Sequence, residues 1–163
     1  MSGPNRRRFL QASLAAGATF AISGTKSSGN ILGANDRVRV AVAGLHGRGR
    51  SHYGAYAKMK DVEVAYVVDP DSRQFARAIS EIKNISGTAP KPIGDVREVL
   101  DDKELNVVSI ATPNHWHSLM SIWACQAGKD VYVEKPLSHN IHEGRKLVEA
   151  ARKYKRMVQH GTQ

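Results

Sequence analysis

Short apolar runs alternate with longer amphipathic segments from residue 38 to the end of the chain. The runs predict β-strands at 38–43, 62–68, 107–111, 131–133 and 157–159, with a proline-containing edge strand at 91–93. The segments between them predict helices at about 50–60, 71–83, 95–102, 113–127 and 138–154. Apolar strands that alternate with helices are typical of a parallel sheet covered on both faces. The pattern predicts an α/β fold with a doubly wound (Rossmann) sheet, in strand order 3-2-1-4-5-6 by analogy with that fold.

The first 35 residues follow a different pattern. The sequence Arg6-Arg7-Arg8-Phe9-Leu10 precedes an apolar stretch at 12–22 that is too short to span a bilayer, and no acidic residue occurs before Asp36. These features predict a twin-arginine export signal, followed by a Gly/Ser/Asn-rich linker at 24–35. A basic N-terminus before an amphipathic helix is the alternative. We therefore predict a leader and linker at 1–35, a nucleotide-binding domain at 36–163, the twin-arginine translocase as a partner, and a periplasmic or exported location.

Composition and charge exclude two other classes of function. The net charge of +9 includes four basic residues and no acidic residue in the leader and linker, and aromatic residues are not interleaved with the basic ones. The sequence therefore predicts no nucleic-acid binding. The single cysteine, Cys125, lies in an apolar stretch and indicates a buried small side chain. Without further cysteines or a carboxylate set, the histidines predict no metal site.

A glycine-rich turn follows the first predicted strand. It reads Gly44-Leu45-His46-Gly47-Arg48-Gly49 and leads into a helix. A dinucleotide site needs a tight turn, close approach of the backbone to the pyrophosphate, and a helix N-terminus directed at it. Gly44 and Gly49 fit these needs, His46 takes the place of the usual middle glycine, Gly47 gives the loop another way to bend, and Arg48 supplies charge for phosphate. A glycine-rich loop that binds nothing is the alternative.

Asp69 ends the second strand, roughly 20 residues beyond Gly49. A carboxylate at this place accepts hydrogen bonds from the adenosine ribose and repels a 2′-phosphate, and Asp71 adds to that repulsion. Arg73 is the nearby opposite charge. The sequence therefore favours NAD over NADP.

Two more motifs lie where later strands end. The fourth strand leads into Thr112-Pro113-Asn114-His115-Trp116-His117, and the fifth leads into Glu134-Lys135-Pro136. Open α/β sheets bind their ligands at this carboxyl edge. Lys135 there would hydrogen-bond a substrate hydroxyl and help to move its proton while hydride passes to nicotinamide, and Glu134 would hold or tune the lysine.

With these motifs in this order, the chain resembles the N-terminal domain of the glucose-fructose oxidoreductase / inositol dehydrogenase (Gfo/Idh/MocA) family. The matching residues are the Gly44–Gly49 turn, Asp69, Thr112-Pro113-Asn114, His117, Glu134-Lys135-Pro136 and Gln159-x-Gly161. The resemblance implies NAD(P) binding and oxidation or reduction at a sugar or polyol carbon, with Lys135 as a catalytic residue. It also implies that Thr112, Pro113, Asn114 and His117 lie near the nicotinamide half of the cofactor.

In that family an α+β C-terminal domain supplies a further catalytic residue and most substrate contacts. Because the sequence stops at Gln163, we expect that second domain to be absent here and the isolated chain to bind NAD without turnover. The full-length protein is expected to act on a sugar or polyol. Assembly of the full-length protein into a homo-oligomer stays open. Two alternatives stay open: an NAD-dependent glycosidase that works by transient oxidation, and a non-catalytic nucleotide-binding scaffold.

Overall fold

A parallel sheet of six strands organises residues 37–162, which are the residues that the computed structural model describes. The leader and linker predicted at 1–35 lie outside the described residues. The strands are β1 Val38–Ala43, β2 Val62–Val68, β3 Lys91–Ile93, β4 Val107–Ile110, β5 Asp130–Val133 and β6 Val158–His160. They pair in the order β3-β2-β1-β4-β5-β6. The predicted fold class and strand order are confirmed.

Within residues 37–162, five helices cover the two faces of the sheet: α1 Gly47–Tyr56, α2 Phe75–Ser86, α3 Arg97–Leu100, α4 His117–Gln126 and α5 Ile141–Tyr154. On one face Tyr53 of α1 and Ile82 of α2 are fully buried against strand residues such as Val42. On the other face α3, α4 and α5 pack against Val108 and its neighbours. Because helices cover both faces of the sheet, the central strands are apolar on both sides. This explains why the strands appear in the sequence as continuous apolar runs.

Helix boundaries differ from the predicted ones by a few residues. The first helix begins at Gly47 rather than near residue 50, so it starts inside the glycine-rich turn. Short 3-10 turns at Ser72–Gln74 and Asn114–Trp116 precede α2 and α4, which delays both helices relative to the prediction. Single 3-10 turns at helix starts leave no signature in the apolar period.

The last helix was predicted to begin at residue 138, where Ser138 would cap it, and that start is wrong, because the helix begins at Ile141. Asn140 is the N-cap of α5, and its side chain accepts a hydrogen bond from the backbone N–H of Glu143. Glu143 in turn accepts from the Asn140 amide at 2.8 Å, so the two residues satisfy one another. Both serine and asparagine are good caps, and the apolar period does not decide between them.

The strand order determines which loops meet. β1 lies between β2 and β4, and β5 lies beside β4, so the loops after these four strands lie side by side at the carboxyl edge. The chain reverses its direction of winding between β1 and β4, and a crevice opens at such a point. Within residues 37–162, each helix is too short or too polar to cross a bilayer.

Candidate functional site

The glycine-rich turn is pressed against the loop that follows β4. Gly44 has a φ of +84°, and a Cβ there would lie 2.6 Å from the carbonyl oxygen of Ala111. A Cβ on Gly49 would lie 1.7 Å from the carbonyl oxygen of Gly44. Both positions therefore admit only glycine, and α1 begins in direct contact with the turn. This is the close packing of strand, turn and helix that a dinucleotide site requires.

Histidine in the middle of the turn fits the backbone. His46 precedes α1 with φ −77° and ψ 168°, an extended conformation that any residue adopts. Its side chain is exposed and makes no cap hydrogen bond to the helix. The departure at His46 therefore leaves the turn intact, while Gly47, with φ +32°, provides the left-handed bend beside it.

Asp69 ties the glycine-rich turn to the end of β2. Its carboxylate is 7% exposed and accepts hydrogen bonds from the backbone N–H of Leu45 and of Asp71, both at 2.9 Å. Each carboxylate oxygen keeps a second lone pair, so the group still has acceptor capacity for a ribose hydroxyl. The neighbouring Asp71 is paired with Arg73 at 2.7 Å. The predicted ribose contact of Asp69 stays a prediction, and the structure adds its role as an anchor of the loop.

The loop after β4 combines exposed and buried polar groups. Pro113 and Asn114 are exposed at the carboxyl edge, whereas the hydroxyl of Thr112 is buried and has no hydrogen-bond partner among the described residues. His117 is buried beneath the loop, with its ring nitrogens 2.6 Å from the carbonyl oxygen of Pro136 and 2.8 Å from that of Thr112. His117 therefore links the loop after β4 to the loop after β5. Its ring nitrogens are directed at these backbone carbonyl oxygens rather than outwards.

Glu134 is the polar centre of the site. Its side chain is 6% exposed, and one oxygen lies 2.8 Å from Nε of Arg48 and 2.9 Å from Nε2 of His52. The other oxygen accepts the backbone N–H of Lys135 at 3.3 Å. Burial raises the pKa of Glu134, but the hydrogen bonds from Arg48, His52 and the Lys135 amide outweigh it and lower the pKa to about 2. Glu134 is thus a carboxylate at neutral pH, held between α1 and the loop after β5.

Lys135 lies beside this carboxylate with its side chain exposed. Glu134 contacts it through the backbone amide, so Glu134 fixes the position of the lysine backbone. An exposed ammonium at the carboxyl edge is accessible to a substrate hydroxyl. This contact is with the Lys135 backbone, and the role predicted for Glu134, to hold or tune the lysine, stays a prediction.

Three residues of the site were not predicted from the sequence. His52 and Tyr56 of α1 and Ser109 of β4 form a hydrogen-bonded chain that ends at Glu134, with His52 and Ser109 buried and Tyr56 partly buried. The contacts join residues 53 to 82 positions apart. In the sequence, His52 and Tyr56 are only two polar residues four positions apart on a helix that also carries glycines. That pattern is too weak to identify a site.

The residues present fit a dinucleotide. A Cβ on Gly44 or Gly49 would clash with the backbone, so glycine at both positions lets the turn pack closely at the start of α1. The Thr112 hydroxyl is buried and has no hydrogen-bond partner among residues 37–162. In the same part of the chain, no three His, Cys, Asp or Glu side chains are placed to hold a metal ion. Fold and site together define a dinucleotide-binding Rossmann domain.

The chain belongs to the Gfo/Idh/MocA oxidoreductase family, since residues 38–162 match the model of the oxidoreductase family with an NAD-binding Rossmann fold. The resemblance inferred from the motifs is thereby confirmed, and so is NAD as the cofactor of the family.

Similar proteins include both oxidoreductases and glycoside hydrolases. Glycosyl hydrolase family 109 protein 2 of Shewanella sp. (strain ANA-3) is 30% identical over 171 residues, which cover 93% of this chain and 38% of the relative. An NAD-binding oxidoreductase from Klebsiella pneumoniae is similar in structure, with a TM-score of 0.67 and 30% identity over 77% of this chain and 34% of that one. Myo-inositol 2-dehydrogenase from Lactobacillus plantarum gives a TM-score of 0.67 and 25% identity over 77% of this chain and 36% of that one. The chain thus spans well under half the length of these proteins.

Proposed function

We propose that this chain is the cofactor-binding domain of an enzyme that transfers hydride between nicotinamide and a hydroxyl-bearing carbon of a sugar or polyol. The main support for the proposal is the ion pair between Arg48 and Glu134, which joins two parts of the site. Arg48, in the first turn of α1, lies 2.8 Å from Glu134, which directly precedes Lys135. The helix that receives the pyrophosphate is therefore joined to the segment that carries the proposed catalytic lysine.

The roles of the residues follow from their positions. Gly44 and Gly49 let the backbone approach the pyrophosphate, and Thr112 offers its hydroxyl beside them. Bound NAD supplies the acceptor for the hydride. Lys135 hydrogen-bonds the substrate hydroxyl and takes part in moving its proton. The carboxylates of Asp69 and Asp71 at the end of β2 support NAD rather than NADP, because a 2′-phosphate would meet negative charge there.

A second candidate function is favoured by the relatives named glycosyl hydrolase family 109. The same domain would then hold NAD tightly while a sugar hydroxyl is oxidised transiently to a ketone. Loss of the proton next to that ketone expels the leaving group, water adds to the unsaturated ketone, and the hydride returns to the ketone carbon. This reaction needs the same cradle and the same lysine. It differs from the first candidate in its net reaction, because no net NADH is formed.

An assay of the full-length protein separates the two candidates. Sugars, polyols and nitrophenyl glycosides are incubated with and without added NAD, and NADH absorbance and released nitrophenol are followed. The dehydrogenase predicts NADH that grows with substrate and requires added NAD. The glycosidase predicts nitrophenol release without added NAD. Turnover that persists in the Lys135→Ala variant would remove Lys135 from the proposed role.

Export by the twin-arginine route is also part of the proposal. It is supported by Arg6-Arg7-Arg8-Phe9-Leu10 and by the absence of acidic residues before Asp36 in the sequence. That route carries folded proteins, which suits a domain that takes up NAD before export. Mass spectrometry of protein purified from the periplasm would detect the cofactor that travels with it, and a protein found wholly in the cytoplasm would contradict the proposal.

A further inference from the structure

A hydrogen-bonded chain runs from Glu134 through the buried side chains of His52 and Ser109 to the partly buried Tyr56. His52 lies 2.9 Å from Glu134 through Nε2 and 3.0 Å from the Ser109 hydroxyl through Nδ1. The hydroxyl of Tyr56 donates to Ser109 at 3.3 Å. Three elements contribute: α1 provides His52 and Tyr56, β4 provides Ser109, and the end of β5 provides Glu134. Such a chain is unusual in a region whose other buried side chains are mainly apolar.

The direction of the hydrogen bonds is fixed at the Glu134 end. An ionised carboxylate only accepts hydrogen bonds, so Nε2 of His52 carries the proton and donates it. In the neutral imidazole, Nδ1 then accepts from the Ser109 hydroxyl, and Ser109 accepts from Tyr56. Every donor in the chain has one acceptor. Ser109 and Tyr56 therefore select the imidazole tautomer that Glu134 requires.

Packing holds the imidazole ring in place as well. Its centroid lies 5.2 Å from that of Tyr132 with the planes at 80°, an edge-to-face contact. Tyr132 belongs to β5, two residues before Glu134. The ring of His52 is 8% exposed. Since it is confined between α1 and β5, it keeps the orientation from which it meets Glu134.

We propose that His52 is a positioning residue. It orients the Glu134 carboxylate, and through Glu134 it fixes Lys135 relative to the helix that begins at the glycine-rich turn. The nicotinamide half of the site is thereby kept in alignment with the half that binds adenosine and pyrophosphate. This inference rests on the proposed function, because it assigns Lys135 to the nicotinamide side.

The test compares two ligands that share one half. NAD and ADP-ribose both occupy the adenosine and pyrophosphate positions, but only NAD carries nicotinamide. Calorimetric titration of the whole chain measures both dissociation constants for the wild type, His52→Phe and His52→Gln. His52→Phe keeps the ring shape without a donor, whereas His52→Gln places an amide N–H near the position of Nε2.

We expect His52→Phe to bind NAD about tenfold more weakly while its affinity for ADP-ribose stays within about twofold of wild type. His52→Gln is expected to regain most of the NAD affinity. Equal losses for both ligands would show that His52 only stabilises α1, and an unchanged NAD affinity would show that Glu134 does not need it; either result would overturn the inference. If the wild type bound neither ligand, the NAD-binding function itself would fail.

A measurement on the unaltered chain covers the case in which His52→Phe does not fold. The ¹⁵N spectrum of the His52 ring is expected to show a proton on Nε2 and an accepting Nδ1. The opposite tautomer would overturn the inference, because Nδ1 would then donate to Ser109 and Nε2 would face the carboxylate without a proton. Ser109→Ala is expected to weaken this signature and to lower NAD affinity in the same direction as His52→Phe.

Discussion

Replacing Gly49 with alanine is expected to destabilise the domain by about 3 kcal/mol or more and to abolish NAD binding. The added Cβ would lie 1.7 Å from the carbonyl oxygen of Gly44, which is backbone and has no rotamer to escape into. The first turn of α1 would have to move away from the glycine-rich turn. Because the pyrophosphate needs that turn and helix in contact, binding is lost together with stability. Urea unfolding and calorimetric titration with NAD measure the two effects.

Gly54→Ala in the same helix is the matched control. A Cβ at Gly54 meets no atom within 4 Å, so the substitution adds only helix propensity. We expect it to stabilise the domain by about 0.5–1 kcal/mol and to leave NAD affinity unchanged. Equal stability of Gly49→Ala and the wild type would contradict the close approach of α1 to the turn.

The Glu134→Gln variant is expected to be about 2 to 3 kcal/mol less stable than the wild type at pH 7. The pKa of Glu134 is lowered from 4.5 to about 2 in the folded domain. A lowered pKa means that the carboxylate contributes its stability above the unfolded-state pKa and loses it as the pH falls towards 2. The difference between wild type and variant should therefore shrink between pH 5 and pH 2, because protonation removes the same charge that the substitution removes.

Urea unfolding at a series of pH values measures this difference. Glu149→Gln is the control, since Glu149 forms an exposed ion pair with Lys146 on α5 and its loss should leave stability nearly unchanged. A Glu134→Gln variant whose deficit is independent of pH would show that shape rather than charge holds Arg48 and His52 at this place.

Much of the fold follows from local signals in the sequence. The strands are short apolar runs separated by helices, and that alternation alone determines a parallel sheet with right-handed crossovers. The helix starts were harder to predict, because Ser72–Gln74 and Asn114–Trp116 form 3-10 turns. The start of the last helix was placed near residue 138 instead of after Asn140, since serine and asparagine are equally good caps by residue type and only the tertiary path of the loop decides between them.

Candidate site residues could be predicted from the sequence where a residue type that suggests a function occurs at the end of a predicted strand. Gly44 directly follows β1 and the pair Glu134-Lys135 directly follows β5, and the topology brings such positions to one edge. Gly49 lies in the first turn of α1, in the motif that starts at Gly44. His52 could not be identified in this way, because its proposed role depends on a contact with Glu134, which is 82 positions away in the sequence. The reach of Arg48 to Glu134 was missed for the same reason, although Arg48 itself was identified as a phosphate-side residue. Contacts between distant segments of the chain are fixed by packing, and residue spacing does not encode them.

The central claim is that the turn at Gly44–Gly49 and the loops after β2, β4 and β5 form one NAD site. Calorimetric titration of NAD into the purified wild-type chain tests it most directly, with Gly49→Ala as the non-binding reference. We expect the wild-type chain to bind one NAD saturably and the reference variant to show no such binding. Absence of heat with both NAD and NADH, in a chain shown to be folded, would contradict it.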